Sequence, residues 1–239
     1  DGLHHGGIDN FACVTGKPVS QGGIAGRNEA TGRGVFYGVR ELCDSAEDMK
    51  GLGLSRGLEG KTVVIQGLGN VGAHAGLILQ EEGGVRVVAI GEWDGSIVNA
   101  KGLDVKAVIE WRKSTGSILG FPGAETIKDS RACLEVPCDI LVPAALENQV
   151  TPDNAPRLQC KILAEAANGP TPPGAEKILT ERGVVLVPDI YLNSGGVTVS
   201  YFEWTKNISH IRYGRMGKRL EMAQQSRTLD AVERLTGKS

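Results

Sequence analysis

Two kinds of apolar spacing alternate along this chain. Over residues 28–47 the apolar positions Val35, Val39, Leu42 and Ala46 recur at i, i+4, i+7 and i+11, the spacing of one helix face, and Asn28 stands where an N-cap belongs. Ahead of it, residues 1–24 are broken by Gly2, Gly6, Gly7, Gly16, Pro18, Gly22 and Gly23 and read as loop; residues 51–60 read as a glycine-studded connection. From residue 62 short, mainly apolar runs begin: 62–66, 85–90, 139–142, 161–164 and 184–187. Runs of that length, without polar alternation, suit strands buried on both faces. Between and after them the helical period returns at 70–82 (Val71, Ala75, Ile78, Leu79 on one face), from Asp104 as N-cap to 114, at 171–182 and at 196–207.

Strands alternating with helices predict an α/β fold: a Rossmann-like, doubly wound, mostly parallel sheet with helices on both faces. The organisation expected is one structural domain, with a leading loop and helix over 1–60, a dinucleotide-binding core over 61–190, and a cleft-side helix with a truncated helical C-terminal segment over 191–239. No internal repeat is present. The last stretch, 210–239, is polar and locally basic, which fits a solvated helix face better than an interaction tail.

The sharpest motif lies between the strand 62–66 and the helix from 70. Gly67, Gly69 and Gly72 satisfy G-x-G-x-x-G. In a dinucleotide site the first glycine permits the tight turn off the strand. The second lets the backbone approach a pyrophosphate, and the third lets helix and strand pack closely. The helix N-terminus adds unpaired N–H groups and a positive dipole end, with Asn70 and Val71 in its first turn. Glu92 lies 20 residues past Gly72, at the end of the next apolar run. An acid there meets the adenosine ribose hydroxyls and favours NAD over NADP, whose 2′-phosphate it repels. Gly237-Lys238-Ser239 resembles the end of a Walker A loop, but the glycine that the pattern needs five residues earlier is Val232.

Composition narrows the reading. Glycine is 34 of 239 residues, about twice the usual ~7%, without a collagen period and with only ten prolines. Charge is nearly balanced, 26 basic against 28 acidic residues, which argues against nucleic acid or an anionic membrane as partner. No apolar run approaches the ~20 residues of a membrane span, and no secretory signal is visible at the N-terminus, which begins on Asp1. Five cysteines without a C-x-x-C pair, and four histidines without ligand spacing, suggest free thiols in a reducing cytoplasm rather than a metal site. No acid–base pair or nucleophile–base constellation stands out, so no catalytic residue is assigned.

Several segments, in order and spacing, resemble glutamate dehydrogenase of the Glu/Leu/Phe/Val dehydrogenase family. They are residues 15–18 (TGKP), 22–27 (GGIAGR), 30–34 (ATGRG), 66–72 (QGLGNVG), 139–145 (DILVPAA), 164–171 (AEAANGPT) and 193–204 (NSGGVTVSYFEW). The resemblance runs from about residue 13 to about residue 215. It implies oxidative deamination of L-glutamate to 2-oxoglutarate and ammonia, with NAD, or NADP, taking the hydride. It further implies that Thr31 bonds the nicotinamide carboxamide, that Asn168 contacts the nicotinamide ribose region and Asn193 the nicotinamide side of the cleft, and that Ala144 and Ala145 line the wall beside the cofactor. Arg27, Val197 and Ser200 are implied to hold the amino acid, Ser200 near its side-chain carboxylate. On the residues alone, Asn168 before Gly-Pro reads as a turn residue, Thr31 as an early-helix hydroxyl, and Asn193 as part of a loop before a helix.

Trp93 departs from the family, which often carries a small polar residue there. The family's catalytic lysine, its proton-handling aspartate and its substrate-carboxylate lysines belong to an N-terminal domain that no segment here matches. The isolated chain is therefore expected to bind dinucleotide and turn over glutamate negligibly. The resemblance also implies a homo-hexameric full-length enzyme, in the cytoplasm, or in the mitochondrial matrix for an animal-type form. Leucine, phenylalanine or valine dehydrogenase, and a non-catalytic dinucleotide-binding module, are the alternatives.

Overall fold

The structure is a computed structural model, and it describes residues 10–209; the stretch 210–239, the Gly237-Lys238-Ser239 motif and the first nine residues lie outside the described residues. The chain divides into two compact units, Gly26–Val199 on the one hand, and Asp1–Ala25 with Ser200–Ser239 on the other.

Gly26–Val199 begins with α1 (Ala30–Asp44) and α2 (Ala46–Leu52). The apolar period predicts one helix over 28–47, but the chain breaks at Ser45, which is extended (φ −72°, ψ 110°) and whose hydroxyl accepts the Asp48 N–H at 3.3 Å. Ser45 thus ends α1 and caps α2, and the Ser-x-x-Asp spacing is the signal for this break. Ala46, expected on the buried face of a single helix, is exposed. The start also moves, from Asn28 as cap to Glu29.

A seven-stranded sheet follows. Its strands are β1 (Thr62–Gln66), β2 (Arg86–Glu92), β3 (Gly95–Val98), β4 (Glu125–Ile127), β5 (Ile140–Pro143), β6 (Ile162–Ala164) and β7 (Val185–Val187). Their spatial order is β4-β3-β2-β1-β5-β6-β7; the pairings from β2 through β1, β5 and β6 to β7 are parallel, while β3 alone runs the other way and pairs antiparallel with both β2 and β4. The expected mostly parallel α/β sheet is what forms. The apolar pattern predicts neither β3 nor β4; β2 and β3 join through the two-residue hairpin Trp93–Asp94, since Glu92 pairs with Gly95.

Helices α3 (Asn70–Glu81), α4 (Val105–Thr115), α5 (Pro173–Glu181), α6 (Asp189–Leu192) and α7 (Ser194–Ile208) complete the described chain. Asp104 caps α4 as its sequence position predicts, accepting the Ala107 N–H at 3.0 Å. Strand side chains alternate between two core layers. Val63, Ile65, Ile140, Val142, Ile162 and Ala164 pack with Val35 and Val39 of α1, Ala75 and Leu79 of α3, and Val105 and Val108 of α4. Val64, Leu141 and Leu163 pack with Ala175 and Leu179 of α5, with Leu158 and with Cys133. This is a sheet wound on both faces.

On β2 the alternation slips. Val63 pairs with Val87 but Val64 with Ala89, so Val88 is an extra residue, and Val88 and Ala89 both enter the second layer. The chain passes from β1 to β2 on one side and later to β5 on the other. The ends of β1 and β5 therefore flank a topological switch point, where open α/β sheets leave a ligand crevice.

In the other unit, the buried Glu203 carboxylate gathers the loop before Pro18. It accepts the Gly16 N–H at 2.9 Å, the Lys17 N–H at 3.3 Å and the Lys17 ammonium at 2.6 Å. Burial alone would push the Glu203 carboxyl up. The Lys17 ammonium and the two N–H donors outweigh it and hold the carboxyl below its ordinary value.

Candidate functional site

The turn off β1 sits at the switch point. Gly67 has φ +92°, a left-handed conformation that side chains disfavour, and its N–H donates to Gly91 O at 2.7 Å. A Cβ on Gly67 would stand 2.9 Å from Ala144 O and 3.0 Å from Ala145 Cα, and one on Gly72 would stand 1.8 Å from Gly67 O. Both glycines are thus required by close packing of backbone on backbone. Gly69 differs: a Cβ there would meet nothing within 4 Å. Gly69 is the N-cap of α3, with no side-chain cap, and the first intrahelical bond runs from Ala73 N–H to Gly69 O at 3.0 Å. The N–H groups of Asn70, Val71 and Gly72 precede that bond and have no intrahelical acceptor. The result is an open cradle, floored by a glycine and faced by a helix N-terminus, which fits a dinucleotide pyrophosphate.

Glu92 ends β2 beside this turn. One of its carboxylate oxygens accepts the Leu68 N–H and the other pairs with Arg112 Nη2 at 3.2 Å, while Arg112 Nη1 donates to Leu68 O at 2.7 Å. Glu92 and Arg112 together clamp both polar groups of Leu68 and so hold the glycine turn. A carboxylate offers about four lone-pair sites, so these bonds leave room for ribose hydroxyls. Leu68 and Arg112 were missed from sequence. Nothing marks Leu68, which acts through its backbone. Arg112, in the last turn of α4, reads only as a cation complementing the helix dipole.

A second group forms around the loops after β5 and β6. Ala144 is half-buried, with its N–H on Gln66 O at 2.8 Å, and Ala145 is exposed. Pro143 O accepts the N–H groups of Ala166 (3.1 Å) and Ala167 (2.9 Å), and the Asn148 N–H reaches Gly169 O at 3.0 Å, which ties the two loops together. Asn168 and Asn193, 25 residues apart, are brought into contact: Asn193 Nδ2 donates to Asn168 Oδ1 at 2.7 Å. The Asp189 carboxylate, also missed from sequence, fixes this loop by accepting the Gly169 N–H at 2.7 Å. The Asp189 N–H in turn donates to Glu165 at 3.2 Å. Burial pushes the Glu165 carboxyl above its ordinary value.

Thr31 and Arg27 are brought to the start of α7. A Cβ on Gly196 would stand 2.3 Å from Thr31 Oγ1 and 3.5 Å from Arg27 Nη1, and one on Gly195 would stand 2.3 Å from Ala30 O. These two glycines let α1 seat directly against the helix that carries Val197, whose side chain is exposed. Ser200 lies further along α7, in the other unit. Among the described residues no group of His, Cys, Asp or Glu could hold a metal ion.

A family profile described as Glutamate/Leucine/Phenylalanine/Valine dehydrogenase matches residues 22–235. A mitochondrial glutamate dehydrogenase from Dictyostelium discoideum is 50% identical over 231 residues, which is 97% of this chain and 46% of that protein. A protein from Sinorhizobium fredii named probable glutamate dehydrogenase is 48% identical over 233 residues, 97% of this chain and 52% of its own. Among solved structures, a hetero-hexameric glutamate dehydrogenase from Thermus thermophilus in a leucine-bound form superposes with TM-score 0.73 at 33% identity, covering 92% of this chain and 50% of its own. Glutamate dehydrogenase from Peptoniphilus asaccharolyticus superposes with TM-score 0.66 at 35% identity, covering 97% and 53%. The chain thus spans about half the length of the relatives it matches. Sequence, sheet order and glycine turn agree: the chain belongs to the glutamate/leucine/phenylalanine/valine dehydrogenase family.

Proposed function

We propose that this chain is the NAD(P)-binding part of a glutamate dehydrogenase, which oxidatively deaminates L-glutamate to 2-oxoglutarate and ammonia. The observation that carries this reading is the open cradle at Gly69, backed by an uncapped α3 N-terminus at the sheet's switch point. The names of the relatives supply the substrate. The polar Ser200 suits a side-chain carboxylate better than an apolar substrate would.

In this reading the N–H groups of Asn70 and Val71 hold the pyrophosphate, and Gly67 and Gly72 set the turn that aims them. Glu92 takes the adenosine ribose hydroxyls on lone pairs not engaged by Leu68 and Arg112. Thr31 orients the carboxamide with a neutral hydroxyl, which adds no charge to the hydride path. The bonded amides of Asn168 and Asn193 position the nicotinamide ribose against Ala144 and Ala145. When bound, the nicotinamide supplies the hydride acceptor. Arg27 and Val197 belong to this chain's share of the amino-acid site, Arg27 as a charge-assisted donor to a carboxylate. Its place would be the cytoplasm, or the mitochondrial matrix for an animal-type form; the Dictyostelium relative is named mitochondrial.

The test is turnover. The 239-residue chain alone is expected to form no measurable NADH from glutamate, and joined to the half of a relative that it does not match it is expected to do so. Robust turnover by the chain alone would overturn its incompleteness, and an inert joined protein that still binds NAD would overturn the substrate assignment.

A further inference from the structure

Among the described residues two acids are buried, Glu165 and Glu203. Lys17 neutralises Glu203 at 2.6 Å, whereas Glu165, 6% exposed, has no cation paired with it among the described residues. The charged groups that face Glu165 are themselves acids, Asp189 at the start of α6 and Glu176 of α5, and the Thr171 hydroxyl adds a neutral contact. A buried carboxylate without a cation is costly to keep ionised. What this one holds gives it a use. Its own N–H is fixed on Val187 O at 3.1 Å, at the ends of β6 and β7, and its carboxyl accepts the Asp189 N–H at 3.2 Å. Asp189 passes the hold on. Its carboxylate accepts the N–H groups of Gly169 at 2.7 Å and Ile190 at 2.6 Å, and its carbonyl oxygen accepts the Asn193 N–H at 2.9 Å. Gly169 follows Asn168, whose side chain takes the Asn193 amide at 2.7 Å. Both amides therefore depend on Asp189, and Asp189 is anchored on Glu165.

We infer that Glu165 is a positioning residue for the nicotinamide end of the dinucleotide: ionised, it anchors Asp189 and through it the Asn168–Asn193 pair, and a proton on it loosens both. The inference rests on the dinucleotide reading above. An N–H bond to an ionised acceptor is about twice as strong as one to a neutral acceptor, so the anchor weakens when Glu165 is protonated. Burial pushes the Glu165 carboxyl above its ordinary value, helped by the like charges of Asp189 and Glu176 and opposed by the Thr171 hydroxyl and the Asp189 N–H. The change of charge is thereby carried toward neutral pH. Since the ionised form favours binding, binding favours ionisation. Affinity is full above the raised value and falls as pH drops through it, and NAD binding in that window expels protons.

The test titrates NAD and ADP into the 239-residue chain and its Glu165→Gln variant by calorimetry, at pH 8, 7, 6 and 5. ADP lacks the nicotinamide end, and its own ionisation is the same against both proteins. At pH 8 Glu165→Gln is expected to weaken NAD about fivefold and to leave ADP unchanged. As pH falls, the NAD affinity of the parent is expected to approach that of the variant. Parent titrations with NAD in two buffers of different ionisation enthalpy are expected to show proton release, which vanishes in Glu165→Gln. Equal NAD affinities at pH 8, or a gap that stays constant down to pH 5, overturn the Glu165 assignment and leave the dinucleotide reading intact. Equal loss of NAD and ADP means a general disturbance of the site and also overturns the assignment. A parent that binds neither ligand overturns both. Should Glu165→Gln fail to fold, the parent decides alone: NAD binding without proton release at all four pH values overturns the assignment.

Discussion

Gly69 and Gly72 sit three residues apart in one motif, yet their geometry assigns them different work, and alanine substitution separates the two. In Gly72→Ala the new Cβ would stand 1.8 Å from the Gly67 carbonyl oxygen. Real contacts of this kind need about 3 Å, so α3 or the turn must move by more than 1 Å. Both are packed: Ala75, Ile78 and Leu79 of α3 are buried, and Gly67 is held on Gly91 O. Overpacking of that kind costs about 2–3 kcal/mol, and at about 2–4 °C per kcal/mol for a protein of this size the melting temperature should fall by roughly 5–10 °C.

In Gly69→Ala the Cβ enters open space, and the backbone (φ −68°, ψ −163°) is extended and open to any residue. Alanine is a poorer N-cap than glycine, by up to about 1 kcal/mol. It also restricts the unfolded chain, a gain of about 0.4–1 kcal/mol. The two offset, so melting should move by no more than about 3 °C. The methyl group, however, occupies the cradle, and NADH affinity should fall tenfold or more, about 1.4 kcal/mol. Thermal melting and calorimetric titration read the two effects separately. A Gly69→Ala protein that binds NADH as the parent does would refute the placement of the pyrophosphate. A Gly72→Ala protein as stable as the parent would refute the packing argument.

Acid tests the Glu203 clamp. Its folded-state carboxyl lies below the ordinary value of 4.5, so the unfolded chain binds more protons in that window. The stabilisation is then full above about pH 4.5 and is lost as pH falls through the folded value. Glu203→Gln leaves the Lys17 ammonium buried without its partner, and is expected to cost about 3 kcal/mol at pH 7, with the difference from the parent shrinking below pH 4 in urea melts. A difference independent of pH would contradict the clamp. Thiol labelling tests the core. Cys13 is exposed, whereas burial pushes the thiols of Cys43 and Cys160 up to about 11 and that of Cys133 up to about 12, and raises Cys138 as well. Iodoacetamide at pH 8 should modify one thiol in the native chain, absent in Cys13→Ser, and all five in denaturant. Rapid labelling of a second native thiol would contradict the packing of the layer that holds Cys133 and Cys160.

The parallel half of the fold was legible because its strands are largely buried on both faces and so carry mainly apolar runs. Strands β3 and β4 were not. Glu125–Ile127 is an edge strand with two exposed residues, and Gly95–Val98 has only four. Neither is long enough to carry a period. The break at Ser45 was hidden because the apolar face of α1 continues in phase as far as Ala46. In the site, glycines were legible because their constraint is local, whereas the partners that fix them act across the fold. Arg112 reaches Glu92 and Leu68 from 20 and 44 residues away, and Asp189 reaches Gly169 from 20. No local pattern encodes such pairs. The Asn168–Asn193 contact was legible only as two separate loop residues.

The most direct test of the central claim is a calorimetric titration of the 239-residue chain with NADH, in the absence of glutamate. One saturable site per chain, weakened tenfold or more in Gly69→Ala with melting preserved, is the expected result. No binding by the folded parent chain would contradict the claim.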